Sequence, residues 1–225
     1  DQDTKLYLYF DPAHAEMPQY VGDTGEPAAQ QVWGSDYQAV WHMKASGGMV
    51  LDSTANENHL RVYGATTAVG DTGTHLVFDG VDDYCEPTTV INMGYDEITF
   101  ISHINPIPTG NYQSVCMASA GGGYKGWGVI LTGSGQACGE VYGETGGRQF
   151  RVYSAGEVVS GQYSIRFGRT SIDVFTDNGN QTLNITDPGN VVAPYGMKIG
   201  KYPTSNLWPY SGTMSEIQIL RSTSA

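Results

Sequence analysis

Two short turns of this chain are rich in the oxygen-bearing side chains that bind metal ions. Residues 51–59 read LDSTANENH, and residues 76–84 run from an apolar strand, LVF, into the acidic turn DGVDDY. The candidate ligands in these turns are Asp52, Asn56, Asn58, Asp79, Asp82 and Asp83. Ca²⁺ takes about six to eight oxygens from carboxylates, amides and carbonyls. The turns therefore predict a structural Ca²⁺ site at one end of the domain, which Glu216 would reach from a closing strand.

The same residues have a simpler explanation. Asp and Asn are frequent in turns because their side chains bond the nearby backbone, and Asp52 would then stabilise its own turn. The spacing does not match an EF-hand loop, so it defines no ligand set. A metal site and a turn-forming role are therefore alternatives for these residues.

Two later segments have the character of a carbohydrate-binding surface, because sugars stack on aromatic rings and exchange hydrogen bonds with amides. Residues 121–128 read GGGYKGWG, whose glycines would leave the tryptophan ring faces open, and residues 202–210 form a long aromatic loop. The predicted contacts are Tyr124, Trp127, Tyr202, Asn206, Trp208 and Tyr210. The alternative for each ring is packing, since aromatic residues are favoured in strands.

Glu140 and Glu144 are the candidate pair for catalysis. Four residues apart on one extended strand, their backbone positions would be separated by ~13 Å. Glycosidases hold their two carboxyl groups about 5–9.5 Å apart. We therefore expect these carboxylates to be solvated and the chain not to be an enzyme.

The elements that must position these residues are short strands. Runs of strand-forming residues recur at close spacing, with Gly, Asn, Asp and Pro between them. Residues 98–104 and 214–220 alternate apolar and polar side chains, as in an antiparallel sheet with one buried face. The predicted strands span residues 5–10, 39–43, 75–78, 84–87, 97–105, 113–118, 126–131, 137–142, 149–153, 163–167, 171–176, 181–185, 197–201 and 212–220. The pattern predicts an all-β, antiparallel two-sheet β-sandwich.

Composition limits the partners. Lys and Arg number 11 against 23 Asp and Glu, giving a net charge of −12, which repels phosphate backbones and argues against nucleic acid. No apolar run reaches the roughly 18 residues that a membrane span needs, so we expect no membrane insertion. The three cysteines are either buried free thiols or include one bridge, Cys116–Cys138, with Cys85 left free.

Four segments together resemble the laminin-G-like jelly rolls of the concanavalin A-like lectin/glucanase superfamily. They are residues 39–43, AVWHM, the two acidic turns, and the closing strand 212–220, GTMSEIQIL. The family's closing strand usually has Asp before the glutamate, whereas Ser215 precedes Glu216 here. The resemblance covers residues 32–221 and implies a jelly-roll fold, in which related domains often carry a structural calcium.

The N-terminal region differs in character. Residues 6–10, LYLYF, resemble the end of a domain of unknown function that often precedes such jelly rolls in surface proteins. Residues 11–35 hold three of the ten prolines and predict an irregular arm. We therefore predict an N-terminal strand and linker over residues 1–31, a jelly roll over residues 32–225, and a place within a larger multidomain or assembled protein.

The superfamily includes lectins, adhesins, enzyme accessory modules and virion proteins, so the resemblance implies the fold and leaves the ligand open. We expect a non-catalytic module that binds glycans or other surface partners in adhesion or recognition, outside the cell, on a microbial or virion surface. The alternative is a purely structural assembly domain of a larger appendage.

A polysaccharide lyase or glycoside hydrolase is the third functional hypothesis. Residues 195–202, YGMKIGKY, resemble a strand of jelly-roll alginate lyases but carry one extra residue before the lysine. In a strand, one extra residue changes which side chains share a face. The Glu-x-Asp-x-x-Glu pattern of the superfamily's glucanases has no match in the chain.

Overall fold

Two antiparallel sheets face each other across an apolar core. The structure is a computed structural model and describes residues 24–70, 73–91, 97–119, 126–142, 149–158, 160–187 and 196–221. One sheet has eight strands in the order β15-β14-β13-β8-β17-β6-β5, with β1 also pairing β17, and the other has nine in the order β12-β11-β10-β9-β16-β7-β4-β3-β2. The predicted all-β, two-sheet antiparallel sandwich is confirmed.

The elements follow one another in short steps. In chain order they are α1 (Pro27–Gln30), β1 (Tyr37–Trp41), β2 (Ala45–Ser46), β3 (Met49–Val50), β4 (Leu60–Tyr63), β5 (Thr66–Gly70), β6 (Gly73–Asp79), β7 (Tyr84–Pro87), β8 (Ile98–Pro106), β9 (Gln113–Ser119), β10 (Gly126–Leu131), β11 (Gln136–Tyr142), β12 (Gln149–Glu157), β13 (Gly161–Phe167), β14 (Ser171–Phe175), β15 (Gln181–Asn184), β16 (Met197–Ile199) and β17 (Ser211–Arg221). Among the described residues, no helix has the length and apolar character needed to cross a bilayer.

Alternation along the two central strands places their apolar side chains in the core, as expected. In β8, Ile98, Phe100 and Ile104 are buried, and in β17 Ile217 and Ile219 are buried while Glu216 and Gln218 are half-buried. Since successive side chains of a strand point to opposite faces, the polar residues lie on the side away from the core.

The nine-stranded sheet has a second, smaller apolar cluster on its other face. Met117, Ile130 and Cys138 form this cluster, and Tyr202 and Trp208 pack on it. The neighbours of Ile130 in β10, Val129 and Leu131, belong to the main core. The loop between β16 and β17 therefore folds over the outside of this sheet.

All three cysteines are free and buried, so the free-thiol alternative is confirmed and Cys116 and Cys138 form no bridge. Burial raises the pKa of the Cys85 and Cys116 thiols well above its usual value, and that of Cys138 to about 12. Such thiols stay protonated and unreactive at neutral pH.

Strands β2 to β5 were missed by the sequence prediction. They are short, and β5 is largely exposed, so their residues lack the apolar alternation that marked the other strands. The predicted strand at 5–10 lies outside the described residues. The boundary at residue 31 stays a prediction.

Candidate functional site

Three loops converge at one end of the nine-stranded sheet and line an open cavity of about 550 Å³. They are the β8–β9 loop, the β10–β11 hairpin turn and the β16–β17 loop. The cavity, called the aromatic pocket below, is lined by Gly110, Asn111, Tyr112, Thr132, Gly133, Ser134, Asn206, Leu207, Trp208 and Pro209. Of the residues predicted to contact carbohydrate, Asn206 and Trp208 line it.

The β16–β17 loop is fixed at its base and along its length by backbone hydrogen bonds. The Tyr210 N–H donates to the Gly200 carbonyl at 2.8 Å, and the Tyr202 N–H donates to the Leu207 carbonyl at 3.2 Å. The Ser114 N–H at the start of β9 donates to the Trp208 carbonyl at 2.8 Å. The loop is therefore anchored to the sheet at the residue that carries the pocket's largest ring.

A single amide joins the neighbouring segments beneath the pocket. Gln113 is 2% exposed; its Oε1 accepts from the Ser211 N–H at 2.8 Å, and its Nε2 donates to the Ile107 carbonyl at 3.0 Å. A buried amide that satisfies two backbone groups holds both segments in place. The β8–β9 loop and the start of β17 are thereby connected.

Trp208 has an unusual backbone. Its φ is +55°, in the left-handed region that a bulky residue rarely adopts. Holding a side chain there costs about 1–3 kcal/mol and occurs most often at functional sites. The indole lies 5.5 Å from the Tyr112 ring and 5.6 Å from the Tyr202 ring between centroids. Tyr112 is 37% exposed, so its ring is open to a ligand.

Two glycines that line the pocket bring two of its loops into contact. A Cβ on Gly133 would lie 2.4 Å from the carbonyl oxygen of Gly110, so the β8–β9 loop and the β10–β11 turn touch through their backbones. Gly110 itself has φ +73°. A side chain at Gly133 would force the two loops apart.

The pocket's polar groups are already oriented by their neighbours. The Lys201 ammonium donates to Asn206 Oδ1 at 2.9 Å, which leaves the Asn206 NH₂ group facing outward as a donor. The Thr132 and Ser134 hydroxyls lie 2.9 Å apart, and Ser134 donates to Gln136 Oε1 at 3.2 Å. The Gln136 N–H in turn donates to Thr132 Oγ1 at 3.1 Å.

Two predicted carbohydrate contacts are core residues instead. Trp127 is 2% exposed and packs 5.5 Å from Phe167, between ring centroids, because alternation along β10 turns it inward. Tyr210 is fully buried, and its hydroxyl donates to the Thr213 carbonyl at 3.0 Å. The expectation of open ring faces at these two positions is wrong. Tyr124 lies outside the described residues.

Asp52 acts as a backbone cap. It is fully buried; its Oδ1 accepts from the N–H groups of Val40 and Thr54 at 2.9 and 3.0 Å, and its Oδ2 accepts from the Thr54 hydroxyl and the Asn58 N–H at 2.8 and 2.9 Å. Asn56 and Asn58 donate their side-chain NH₂ groups to the Gln38 carbonyl. Both Asp52 oxygens are therefore engaged, and the turn-forming alternative describes this residue.

The carboxylates of Asp79, Asp82 and Asp83 do converge, with one ligand oxygen of each within 4.8 Å of the others. Asp79 Oδ1 accepts from the Val81 N–H and Asp83 Oδ2 from the Asp79 N–H, both at 2.8 Å. Burial, and then the charges of Asp79 and Asp82, raise the pKa of Asp83. This turn thus gathers negative charge that the described side chains only partly balance.

The two turns lie at opposite ends of β17, so the expectation of one shared site is wrong. Asp79 pairs with Ser211 at the start of β17, whereas Val40, which Asp52 caps, pairs with Gln218. Seven positions of extended strand span ~23 Å. The number of residues between two turns does not indicate which strand ends lie together in the fold. The sequence alone therefore could not show that the two acidic turns are far apart.

Glu216 joins neither turn. Its Oε2 lies 2.9 Å from His42 Nδ1, and its Oε1 accepts from Gln218 Nε2. With His103 and Ser215, it lines a separate groove of about 330 Å³ on the eight-stranded sheet. The expectation that Glu216 reaches the acidic turns is therefore wrong.

The fit to Ca²⁺ is confined to the 79–83 turn. Three carboxylates are hard oxygen ligands, which Ca²⁺ prefers. With one oxygen from each carboxylate they supply three of the roughly six to eight oxygens of a full shell, so second carboxylate oxygens, backbone carbonyls or water would have to complete it. A Ca²⁺ role stays a prediction for Asp79, Asp82 and Asp83.

Glu140 is fully buried on β11, and Arg151 Nε donates to its Oε2 at 2.8 Å. The expectation that it is solvated is wrong, although an ion-paired carboxylate of this kind is no better placed for hydrolysis. Glu144 lies outside the described residues.

Sequence reasoning missed the pocket residues outside the 202–210 loop. Asn111, Tyr112, Thr132 and Ser134 come from two other loops, which meet the first one only in the folded protein. The signals available were a glycine followed by a polar and an aromatic residue at 110–112, and the turn sequence TGSG at 132–135. Neither is specific enough to identify a site.

The fold has counterparts among solved structures. The binding domain of botulinum neurotoxin serotype D is 10% identical, with a TM-score of 0.63 over 87% of this chain and 50% of that chain. A binding domain of botulinum neurotoxin DC in complex with SialylT is 9% identical, with a TM-score of 0.60 over 84% and 49%. Trypanosoma rangeli sialidase in complex with sialic acid is 14% identical, with a TM-score of 0.58 over 86% and 32%.

These similarities establish a jelly-roll, lectin-like fold. The chain spans half or less of the length of these structures, and identities of 9–14% do not carry a ligand or an activity over. No protein-family model and no curated protein sequence matches the chain.

Proposed function

We propose that this protein is a non-catalytic recognition module that binds carbohydrate in the aromatic pocket. The observation that carries the proposal is Trp208, a tryptophan held at φ +55° with its ring against the exposed Tyr112. Trp208 packs on Met117, Ile130 and Cys138 and also lines the cavity, and a residue held in a strained conformation at a cavity is a candidate for ligand contact. Oriented amides and hydroxyls around the rings supply the polar contacts that sugars need.

The fold supports this choice. Two similar structures are described with bound sialic acid or SialylT. The laminin-G-like assignment, the extracellular cell-surface or virion location and the place in a larger protein are parts of the same proposal, and they rest on the resemblance in residues 32–221. A purely structural assembly role is the alternative in which the pocket has no soluble ligand.

Binding to a broad glycan panel tests the proposal. Trp208→Ala and Tyr112→Ala should each weaken binding about tenfold or more, equivalent to ~1.4 kcal/mol. Trp33→Ala is the matched control, because Trp33 packs edge-on against Tyr37 near the opposite end of the sandwich. Loss of binding in the control as well, or intact binding in both pocket variants, would remove the proposed surface.

The same panel addresses catalysis. Release of reducing sugar or of an unsaturated product from any panel member would contradict the non-catalytic assignment. If the protein neither binds nor cleaves any glycan, the structural assembly role is favoured.

We also propose that Ca²⁺ binds at Asp79, Asp82 and Asp83. The support is the convergence of three carboxylates beside Ser211, close to the base of the loop that carries Trp208. Its role would be to fix the turn, since these residues do not line the pocket.

A further inference from the structure

The sialic acid bound in one of the similar structures is negatively charged, whereas the aromatic pocket has no charged residue among its described lining. All the described residues that line it are uncharged. A ligand carboxylate in such a site has only uncharged donors to replace the hydration it loses, because none of the described lining residues is a cation. The net charge of −12 adds a repulsive field for any anion that approaches.

Among the described residues, two cations close to this part of the sheet have partners of their own and do not line the pocket. The Lys201 ammonium donates to Asn206 Oδ1 at 2.9 Å and lies 4.0 Å above the centre of the Tyr84 ring. Arg151 is held by the buried carboxylate of Glu140. A ligand carboxylate in the pocket would have to draw Lys201 away from Asn206 to gain a cationic partner.

The direction of the pocket's hydrogen bonds specifies which ligand group fits this side. Ser134 uses its proton on Gln136 Oε1, so the proton between Thr132 and Ser134 comes from Thr132. Both hydroxyl protons are therefore used within the turn, and lone pairs remain for a ligand. A sugar hydroxyl supplies the donor that this side needs, whereas the preference for an uncharged sugar rests on the uncharged lining and the net charge.

The opposite side of the pocket has the opposite requirement. Because Asn206 Oδ1 accepts from Lys201, the Asn206 amide offers its N–H donors. A sugar hydroxyl or ring oxygen accepts such a bond, and a hydroxyl also donates to Ser134. A neutral polyol satisfies both sides at once.

We infer that the aromatic pocket takes an uncharged sugar residue, which stacks an apolar ring face on Trp208 or Tyr112 and donates hydroxyl protons to the Thr132–Ser134 turn. The inference rests on the proposed function and specifies its ligand class. It separates this protein from the sialic-acid complexes that share its fold.

Matched glycan pairs test it. Each pair is one glycan with its terminal sialic acid present or enzymatically removed, measured by calorimetry at low and at high salt. The uncharged member should bind about tenfold tighter or more, and its affinity should change less than about twofold with salt, because no ion pair is screened.

Two variants locate the effect. Ser134→Ala removes an acceptor and should weaken binding of the uncharged member several-fold. Lys201→Met frees Asn206 Oδ1 and should weaken binding modestly without changing the preference within a pair. Lys44→Met is the control, since Lys44 lies in a separate pocket lined by His42 and Leu51.

The outcomes are distinguishable. Tighter binding of the sialylated member, weakened by salt and lost in Lys201→Met, would overturn this inference and leave the proposed function standing. Binding of neither member, nor of any neutral glycan in the panel, would remove the proposed function and the inference with it.

Discussion

The two acidic turns of this protein look alike in sequence and do opposite things in the structure. In the 51–59 turn, Asp52 is fully buried and both of its oxygens accept hydrogen bonds. In the 79–83 turn, three carboxylates gather within 4.8 Å, and two of them are exposed. A carboxylate surrounded by donors stabilises a turn by itself, whereas carboxylates surrounded by one another are stabilised by an added cation.

Asp52→Ala should have the largest effect on stability. It leaves the N–H groups of Val40, Thr54 and Asn58 without their acceptor in a buried turn, which we expect to cost about 3 kcal/mol or more. Urea denaturation measures the loss. Asp82→Ala makes the same change in the exposed turn and should alter stability by about 0.5 kcal/mol or less. Equal losses of unfolding free energy in the two variants would show that the two turns contribute alike to stability.

Gly64→Ala should have the next largest effect on stability, and it acts on the 79–83 turn. A Cβ there would lie 2.0 Å from Asp83 Oδ1, and φ at Gly64 is +78°. Backbone strain costs about 1–2 kcal/mol, and displacement of Asp83 adds to it.

Gly48→Ala is the matched control for that substitution. Gly48 has the same φ of +78°, but a Cβ there meets nothing within 4 Å. The difference in unfolding free energy between the two variants therefore isolates the contact with Asp83. A difference near zero would show that Asp83 moves aside freely.

A Ca²⁺ titration should show the difference between the two turns most directly, because only the 79–83 turn is expected to bind the ion. If Ca²⁺ binds at Asp79, Asp82 and Asp83, a concentration about tenfold above its Kd stabilises the fold by ~1.4 kcal/mol. Melting temperature in Ca²⁺ and in chelator measures this effect, and Asp82→Asn should abolish it. Without Ca²⁺, Asp82→Asn should stabilise slightly, because it removes a charge beside Asp83. A melting temperature that chelator leaves unchanged would remove the metal prediction.

Glu216 is a third carboxylate, intermediate between those of the two turns. Its substitution should have the smallest effect on stability. Glu216 is paired like Asp52 but half-exposed, and its partner is titratable. The bond to Glu216 raises the pKa of His42, so that stabilisation is complete below the ordinary histidine value of 6.5 and is lost as pH rises through the raised value. The bond to His42 lowers the pKa of Glu216, so that contribution is complete above 4.5 and is lost as pH falls through the lowered value.

The pair should therefore stabilise most between pH 4.5 and 6.5. Glu216→Gln should cost less than about 1 kcal/mol in that window and close to nothing well above it, since both side chains are solvent-screened. Urea denaturation of both proteins across pH provides the comparison. A cost that is the same at every pH would mean that packing, and not charge, accounts for it.

The fold was largely predictable from the sequence because alternation reports which face of a strand is buried. Residues 98–104 and 214–220 show this, and they became the central strands β8 and β17. Strands β2 to β4 have only two to four residues each and β5 is largely exposed, so none of them carried such a signal, although Val50 and Leu60 are buried.

The site was predictable only in part, for reasons visible at single residues. Trp208 was found because it stands in a long aromatic loop. Trp127 was misassigned because flanking glycines resemble an open loop, whereas the strand period turns its ring into the core. Tyr112 was missed because its role depends on the approach of a loop nearly one hundred residues later in the chain. Pairing between distant strand ends is a property of topology, which local sequence does not encode.

The contact between Gly110 and Gly133 has a consequence for redesign. Where main chain contacts main chain, the two loops have no side chain between them to exchange. Libraries that vary other lining residues of the aromatic pocket, such as Asn111, Ser134 and Leu207, would retune selectivity while the spacing of the two loops stays constant. Changing that spacing would require loops of a different length, so point substitution and loop grafting act on separate properties of this scaffold.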